Sequence, residues 1–413
     1  MKVKETKGIT LIALVITIVV LLILAGVVIA TLNGNDNIIK NANTAVGKYN
    51  EKANEEQGIL DTLEEKLREY TNGGGSNPTT PEEPDTPTVN NNGLATKNET
   101  IKPSTNNPNN LQIVIPTGFA PAILEGSNST TSLPGESGKV KNKMPASQWN
   151  NITAEDINKG IVVVDADGNE FVWIPITDTS KFARKAWTIG SNTIAQTLAE
   201  TSTSNAYWED KTTSEYANMI TSVTNNKGFY VARYEASADT NKTKAQSKRG
   251  ATTWTSISQT DAITKCANYN STLHSHLMYG IEWDSILNWL NGNATISSST
   301  SGQTKTMELA DLQTNSCSWG NYDNSTGDAE TNSGGNYQQT TGKSEYWKAN
   351  NIYDLAGNVY EWTQERYSTE TDRAGRGGNF ANHGDNLPVA YRFISSASLA
   401  YNSDIGFRSS FYL

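Results

Sequence analysis

The chain has 413 residues, with 33 basic and 43 acidic side chains and a formal net charge of -10 at pH 7. An acidic chain without a basic patch is a poor ligand for nucleic acid, so nucleic acid is excluded as a partner. With only two cysteines, Cys266 and Cys317, the chain is not a disulfide-stapled scaffold, and the sequence leaves open whether the two pair.

The N-terminus joins a basic leader to a long apolar run. Three lysines precede Gly8, and nearly uncharged residues follow from Ile9 to Leu32. That run is long enough to cross a bilayer as one helix. Because a helical pattern rich in charges continues to residue 70, we predict one N-terminal helix over 9–70 that contacts the membrane. A plain membrane anchor would explain the apolar run equally well.

The order of residues at this junction resembles the type IV prepilin signal, which a peptidase cuts after a glycine, leaving the helix on the mature protein. The charged leader, Gly8 and Ile9-Thr10-Leu11-Ile12 carry the resemblance, and no small-residue cleavage site ends the apolar run. It implies a leader over 1–8, a cut between Gly8 and Ile9, and prepilin peptidase and other pilin subunits as partners. It also implies that the protein is located at the bacterial cell surface, either anchored in the membrane or associated with a pilus, with an extracellular C-terminal domain. Major pilins usually carry glutamate at the position of Ala13, so a minor or tip subunit is favoured.

The rest of the chain divides into a linker and a globular unit. Residues 71–110 are rich in Pro, Asn, Thr and Gly, a composition that cannot bury a core and predicts an extended linker. Apolar patterns begin at Leu111, which predicts one α+β domain over 111–413. Its predicted strands are 161–164, 170–176 around a turn at 165–169, and 228–235, and its predicted helices are 258–269 and 281–290.

Three motifs follow one another near the C-terminus: Asn351–Trp362, Arg376-Gly377-Gly378 and Ile405–Arg408. Together they resemble the formylglycine-generating enzyme or sulfatase-modifying-factor family, whose domain is a variant of the C-type lectin fold. The resemblance extends upstream through Asn169–Pro175 and Gly228–Glu235 and covers roughly 111–413. It implies a C-type lectin-like domain of the formylglycine-generating enzyme type. We expect Trp173, Trp362 and Phe407 to lie in its core.

The resemblance does not extend to the catalytic residues. The oxygen-dependent enzymes of this family hold copper with two cysteines placed shortly after the Arg-Gly-Gly motif, where this chain has Asn382 and Leu387. Neither side chain binds copper or changes redox state. Related sulfoxide synthases use an iron site of histidines, but His274 and His276 are more typical of surface or packing residues. We predict no catalysis; an exported enzyme with unorthodox ligands and a purely structural minor pilin remain the alternatives.

One family site could persist in the Gly-Asn-x-x-Glu-Trp motif. Members of the family commonly bind calcium there, and the matching positions are Asp354, Gly357, Val359 and Glu361. Carboxylate and carbonyl oxygens are the ligands that Ca²⁺ prefers. The resemblance therefore implies a structural calcium ion, and the alternative is that the two carboxylates only cap turns and helix ends.

The segment 379–405 has an unusual composition, since it contains no Lys, Glu, Gln, Met or Trp. Each of its residues can be encoded by an asparagine codon with altered adenines. This resembles the signature of diversity-generating retroelements, which mutate adenines at the end of genes for C-type lectin-like domains. The resemblance implies that 379–405 is a variable region. The alternative is an ordinary loop rich in Asn, Ser and Ala.

Aromatic side chains alternate with short polar ones in this segment, as is typical of recognition surfaces. We predict that it binds an unidentified surface ligand, protein or glycan, in an adhesin-like, noncatalytic pilin-type protein. Among its aromatic and apolar residues, we expect Phe393, Ile394 and Tyr401 to be exposed. The predicted ligand-binding residues are Phe380, Asn382, His383, Asp385, Asn386, Tyr391, Phe393, Ile394, Ser396, Leu399, Tyr401 and Asn402.

Overall fold

The computed structural model describes residues 86–126, 129–132, 135–190, 194–298, 301–326, 337–368, 371–400 and 402–413. These residues belong to a unit that runs from Pro84 to Leu413. The predicted leader, the cleavage residues Gly8 and Ile9, the helix over 9–70 and the linker up to residue 85 lie outside the described residues. Among the residues that are described, no helix is long and apolar enough to cross a bilayer.

Helices and short strands are interspersed along the described chain. The strands are β1 (Glu99–Ile101), β2 (Ile113–Ile115), β3 (Ala120–Leu124), β4 (Val140–Lys143), β5 (Val162–Val164), β6 (Glu170–Pro175), β7 (Thr188–Ile189), β8 (Ile194–Ala195), β9 (Tyr207–Trp208), β10 (Gly228–Ala232), β11 (Ser237–Ala238), β12 (Ala245–Gln246), β13 (Ser275–Leu277), β14 (Thr295–Ser297), β15 (Thr304–Thr306), β16 (Lys348–Ala349), β17 (Ile352–Tyr353), β18 (Tyr360–Tyr367), β19 (Asp372–Arg376), β20 (Phe393–Ser396), β21 (Ile405–Phe407) and β22 (Ser409–Phe411). The α-helices are α1 (Ala154–Asn158), α2 (Ser214–Asn226), α3 (Gln259–Ala267), α4 (Gly280–Leu290) and α5 (Leu309–Gln313). Short 3₁₀ helices occupy Ala146–Asn151, Thr179–Lys181 and Ser271–Leu273. The mixture confirms the predicted α+β class.

The largest sheet has seven strands in the order β13-β22-β10-β6-β5-β3-β4. Side chains that alternate along a strand point to opposite faces, and β6 buries both of its faces. Phe171 and Trp173 join one apolar cluster, while Val172 and Ile174 join another. This sheet is therefore covered on both sides, which accounts for the continuous apolar run that β6 shows in the sequence.

The hairpin between β5 and β6 confirms the predicted strands and turn. The strands are antiparallel, with Val163 opposite Phe171. In the turn, Asp165 Oδ1 accepts hydrogen bonds from the backbone N–H groups of Asp167 at 2.9 Å and Asn169 at 2.8 Å. These bonds are a typical reason for aspartate at the start of a tight turn.

Both predicted helices of the globular unit are present. Ser258 caps α3, because its hydroxyl accepts a hydrogen bond from the N–H of Asp261 at 3.0 Å. Helix α4 buries nearly its whole length, including the charged side chains of Glu282 and Asp284. Those two carboxylates lie at the centre of the interactions described below.

The structure differs from the predicted linker after residue 85. Strand β1 pairs antiparallel with β2, with Ile101 opposite Ile113. Leu94 and Ile101 are buried in the same apolar cluster as Trp173. A three-residue strand among Asn, Thr and Pro gives no periodic signal in the sequence, and its stability comes from the partner strand, so the predicted boundary at 111 lies too late.

A five-stranded sheet carries the predicted variable region. Its order is β20-β19-β18-β21, and β9 pairs with the far end of β18. Strand β21 runs parallel to β18, whereas β19 and β20 are antiparallel to their neighbours. Strand β20 lies at the edge of this sheet, so the predicted variable region includes a strand with one side unpaired in the sheet.

Candidate functional site

A buried cluster of ion pairs holds the predicted variable region. Arg376 Nη1 lies 2.6 Å from Glu365 Oε1, and its Nη2 lies 2.9 Å from Asp284 Oδ1. Arg392, from within the predicted variable region, binds the same two carboxylates at 2.6 and 2.7 Å. Arg184 approaches Glu365 at 2.7 Å. Arg184 also lies 3.5 Å from Glu209 Oε2, so the cluster holds three arginines and three carboxylates, of which Glu365 belongs to β18 and Asp284 to α4.

The charges in this cluster stabilise one another. Burial by itself would raise the pKa of Glu365, but Arg392, Arg376 and Arg184 outweigh it and hold that pKa well below its usual range. Glu365 is therefore ionised at neutral pH. Removing one partner from such a buried set leaves an uncompensated charge, which costs about 3–5 kcal/mol.

A second buried ion pair fixes the motif at the end of the predicted variable region. Arg408 Nε lies 3.0 and 2.9 Å from the two carboxylate oxygens of Glu361. Its Nη1 and Nη2 donate to the carbonyl oxygens of Ala232 and Tyr353 at 3.0 and 2.9 Å. The guanidinium thus joins the end of β10 to β18 and to the segment that precedes the predicted calcium loop.

The two ends of the predicted variable region lie side by side. Asn379 Nδ2 donates to Asp404 Oδ2 at 2.7 Å. The N–H of Tyr360 donates to the carbonyl of Asp404 at 2.9 Å, and the N–H of Phe380 donates to the carbonyl of Asn358 at 3.0 Å. Both ends of the segment are therefore attached to the same stretch of chain, Asn358–Tyr360, and to each other.

Side-chain exposure within the predicted variable region is uneven. Val389, Ala390 and Arg392 are buried completely. The exposed residues cluster in two places, on the loop 380–387 and on the stretch 394–403 that includes most of β20. They are Ala381, His383, Asn386, Ile394, Ser398, Ala400 and Ser403.

The predicted ligand-binding residues divide accordingly. His383, Asn386 and Ile394 are exposed, and Ile394 retains 39% of its accessible surface. Tyr401 lies outside the described residues. The remaining predicted residues are partly buried: Phe380, Asn382, Asp385, Tyr391, Phe393, Ser396, Leu399 and Asn402.

Tyr391 and Phe393 contact the core and are not freely exposed. Tyr391 packs against two apolar clusters. The ring of Phe393 stacks on that of Tyr360, with centroids 4.6 Å apart. The expectation that Phe393 is exposed is corrected for this reason: along β20, Phe393 faces the core and its neighbour Ile394 faces outward.

The loop 380–387 rests on a segment that the sequence analysis did not identify. His383 Nε2 lies 3.3 Å from Asp323 Oδ2. Asn324 Nδ2 donates to Asp385 Oδ1 at 3.2 Å, and the N–H of Gly384 donates to Asn324 Oδ1 at 3.0 Å. Asp323 and Asn324 lie about 60 residues upstream of their partners, as the separation of 61 between Asn324 and Asp385 shows, so no local pattern could reveal the contact.

Comparison with known proteins identifies the domain. A sulfatase-modifying factor enzyme 1-like domain matches residues 203–410. The chain belongs to the sulfatase-modifying factor family. The match confirms the predicted resemblance for this part of the chain. None of the curated proteins matches the chain.

Several solved structures resemble the chain at low sequence identity. Treponema denticola variable protein 1 is 14% identical with a TM-score of 0.34, covering 62% of this chain and 99% of that chain. PvdO from Pseudomonas aeruginosa is 15% identical with a TM-score of 0.34, covering 62% of this chain and 98% of that chain. CarF is 12% identical with a TM-score of 0.29, covering 56% of this chain and 99% of that chain.

The two positions predicted to correspond to the copper-binding cysteines of the sulfatase-modifying factor family have other contacts here. The side-chain amide of Asn382 hydrogen-bonds Asn379, and Leu387 packs against an apolar cluster. The two cysteines of the chain, Cys266 and Cys317, are free and buried. Burial raises the pKa of Cys266 to about 12 and that of Cys317 to about 11, so both remain thiols at neutral pH.

His274 and His276 do not present both rings to a common metal. His276 is buried, and its Nε2 lies 3.0 Å from Glu282 Oε2. The ring of His274 stacks on Tyr412, with centroids 5.0 Å apart. Burial would lower the pKa of His276, but the Glu282 carboxylate outweighs burial and raises the pKa to about 9.

The predicted calcium ligands of the sulfatase-modifying factor domain do not form one set of free oxygens. Both carboxylate oxygens of Glu361 accept from Arg408, which makes Glu361 a structural ion-pair partner. Asp354 Oδ2 accepts from the N–H of Gly342 at 2.6 Å, while its Oδ1 is buried without a hydrogen-bond partner. The N–H groups of Gly357 and Val359 bind Gly377 and Glu235.

In the part of the chain that the structure describes, no group of three or more His, Cys, Asp or Glu side chains is placed to hold a metal ion. A calcium site would therefore depend on Asp354 Oδ1 and peptide carbonyls such as those of Gly357 and Val359. Calcium binding stays a prediction, and Glu361 is a poor candidate ligand because Arg408 already neutralises it.

Proposed function

We propose that this protein is a noncatalytic, surface-displayed binding protein whose segment 379–405 varies between copies of the gene and contacts an unidentified surface ligand. One observation carries the proposal: exposed side chains of that segment project from a loop and an edge strand, while its ends and Arg392 are fixed by buried polar contacts. In a segment held in this way, exposed residues can change with little effect on stability. Surface substitutions usually shift the free energy of unfolding by under about 0.5 kcal/mol.

The absence of thiols at the predicted copper positions supports a role without catalysis. Cys266 Sγ accepts a hydrogen bond from the hydroxyl of Ser409 at 3.2 Å, and Cys317 Sγ donates to Asn324 Oδ1 at 2.9 Å. Neither sulfur is a thiolate at neutral pH, whereas copper binding and redox chemistry require one. Copper-loaded protein incubated with a sulfatase-motif peptide under oxygen should leave the peptide cysteine unchanged. Turnover that is lost in Cys317→Ser or Cys266→Ser would contradict this part of the proposal.

Surface display rests on the N-terminal sequence. A basic leader, Gly8 and an uninterrupted apolar run support processing by a prepilin peptidase and association with other pilin subunits. N-terminal sequencing of the mature protein from surface fractions should yield Ile9. Recovery of the intact N-terminus would favour a plain membrane anchor instead.

The recognition role can be tested without knowing the natural ligand. The full chain is displayed on yeast with the seven exposed positions randomised: Ala381, His383, Asn386, Ile394, Ser398, Ala400 and Ser403. This library is selected against a purified test protein, egg-white lysozyme. We expect specific binders, because adaptable side chains on a rigid frame are the property that paratopes share.

A control library separates a recognition surface from any exposed surface. It randomises the three residues of β15, which are exposed and lie outside the variable region. We expect binders from the first library and few or none from the second. Failure to obtain any binder from the first library, although its members fold and reach the yeast surface, would contradict the proposed recognition role.

A further inference from the structure

We infer that Tyr337, which lies outside the variable region, is a fixed contact residue of the recognition surface and that the surface is built for a folded protein partner. The inference rests on the proposed function. With 66% of its accessible surface retained, Tyr337 has the highest value among the exposed large apolar and aromatic side chains of the described residues. Its ring contributes little to the core, so its conformation is not explained by packing.

The backbone of Tyr337 is held in place by buried amides. Asn321 Nδ2 donates to the carbonyl of Tyr337 at 3.1 Å and to Asn358 Oδ1, also at 3.1 Å. Two residues further on, the N–H of Gln339 donates to Asn358 Oδ1 at 2.8 Å. Asn358 is fully buried. An exposed aromatic ring on a backbone fixed in this way loses little conformational entropy on binding, which favours affinity.

The same asparagine joins Tyr337 to the start of the variable region. The carbonyl of Asn358 accepts the hydrogen bond from the N–H of Phe380 at 3.0 Å. Asn358 is therefore bound on one side to the segment 337–339 and on the other to the first part of the variable loop. Asn358 therefore links the segment that contains Tyr337 to the start of the proposed surface, although Tyr337 and Asn379 are 42 positions apart in the sequence.

A second chain of contacts leads from Tyr337 to the end of the variable region. Gln338 Nε2 lies 3.4 Å from the carbonyl of Thr253, and the N–H of Ser256 donates to the carbonyl of Asn402 at 3.1 Å. The segment 337–339 is therefore connected to both ends of the segment 379–405, to its start through Asn358 and to its end through the stretch 253–256. An unvaried aromatic residue at this place would be available to every variant.

The exposed side chains favour a protein over a small ligand. Tyr337 and Ile394 retain 66% and 39% of their accessible surface. Exposed tyrosine suits a protein interface, where it is among the residues that contribute most to affinity.

The test uses the lysozyme binders selected from the randomised library. In each binder, Tyr337 is changed to Ser and separately to Phe, and the Kd for lysozyme is measured with the full chain. We expect Tyr337→Ser to weaken binding at least about tenfold in most binders and Tyr337→Phe to retain much of the affinity, because the ring supplies the contact area. Tyr346→Ser is the control. It removes another tyrosine ring, which lies beside Gly135 and so belongs to neither 337–339 nor 379–405.

The outcomes distinguish the inference from the proposal on which it rests. Unchanged affinity in Tyr337→Ser variants that melt at the parent temperature would overturn the role of Tyr337 while leaving the recognition surface in place. A library without binders would overturn both. Hydrogen exchange provides an independent readout, in which lysozyme should protect the amides of residues 337–339 and of β20 together; protection of β20 alone would contradict the inference.

Discussion

Arg392 Nη2 donates a hydrogen bond to Asp284 Oδ2 over 2.7 Å, although Arg392 belongs to the segment predicted to vary and Asp284 to a buried helix. Both side chains are inaccessible to solvent. This contact divides the segment into an exposed loop before Arg392 and an exposed stretch after it. Variation at position 392 is therefore incompatible with the fold, whereas variation at exposed positions such as His383 and Ile394 is not.

The first prediction concerns this buried arginine. Arg392→Met should lower the free energy of unfolding by about 3–5 kcal/mol, because Asp284 and Glu365 would each lose a buried cationic partner. Guanidinium unfolding of the full chain, followed by tryptophan fluorescence, measures the change. Ser398→Met in the same segment is the control, with an expected effect under about 0.5 kcal/mol. Equal effects of the two substitutions would mean that Arg392 is not an anchor.

The second prediction separates two neighbours on β20. Phe393→Ser should cost about 1–3 kcal/mol, since the ring stacks on Tyr360 and packs against the core. Ile394→Ser should cost well under about 1 kcal/mol, because Ile394 is exposed. The midpoints of chemical unfolding give the comparison. The reverse order would place Ile394 in the core and remove it from the recognition surface.

The third prediction follows from the ion pair of His276 and Glu282. The pKa of His276 is about 9 in the folded protein, against about 6.5 for an unfolded histidine. Because the pKa is higher in the folded protein, protonated His276 contributes its full stabilisation below about pH 6.5. This contribution is lost as the pH rises through about 9.

Between these limits, unfolding free energy should fall by about 3 kcal/mol more in the parent than in His276→Gln, in which position 276 cannot titrate. Urea unfolding at intervals from pH 6 to pH 9.5 provides the two slopes. Parallel slopes would show that the proton on His276 is not linked to folding.

The fourth prediction tests calcium at the Gly-Asn-x-x-Glu-Trp loop. If Asp354 Oδ1 and peptide carbonyls bind the ion, a chelator should lower the melting temperature of the full chain, and Asp354→Asn should remove that difference. Asp167→Asn, in the other aspartate-rich turn, should respond to the chelator as the parent does. A melting temperature that is insensitive to the chelator would leave Asp354 with a structural role only.

Local patterns predicted the elements that local interactions specify. The hairpin of β5 and β6 and the helices α3 and α4 follow from apolar spacing, turn residues and a capping serine, and all are present. The burial of Trp173, Trp362 and Phe407 follows from their motifs and is confirmed. The strand β1 was not predicted, because its stability depends on its partner β2.

Contacts between distant residues limited the prediction of the site. Arg392 is 108 residues from Asp284 and 27 from Glu365, so its burial has no local signal. The contact of Asn358 with the segment that contains Tyr337, and of Asn324 with Asp385, is equally remote in sequence. Composition identified the segment 379–405, but only the fold separates its exposed residues from its buried ones.

The central claim is that the exposed side chains of 379–405 vary between gene copies, whereas the buried residues that hold this segment do not. Sequencing many natural copies of the 3′ end of this gene tests the claim most directly. We predict that codons for the exposed residues, such as His383, Asn386 and Ile394, differ between copies at adenines. The codons for Val389, Ala390 and Arg392 should stay constant, because these side chains are buried. Copies that vary no more in 379–405 than elsewhere, or that vary as often at Arg392 as at Ile394, would contradict the account.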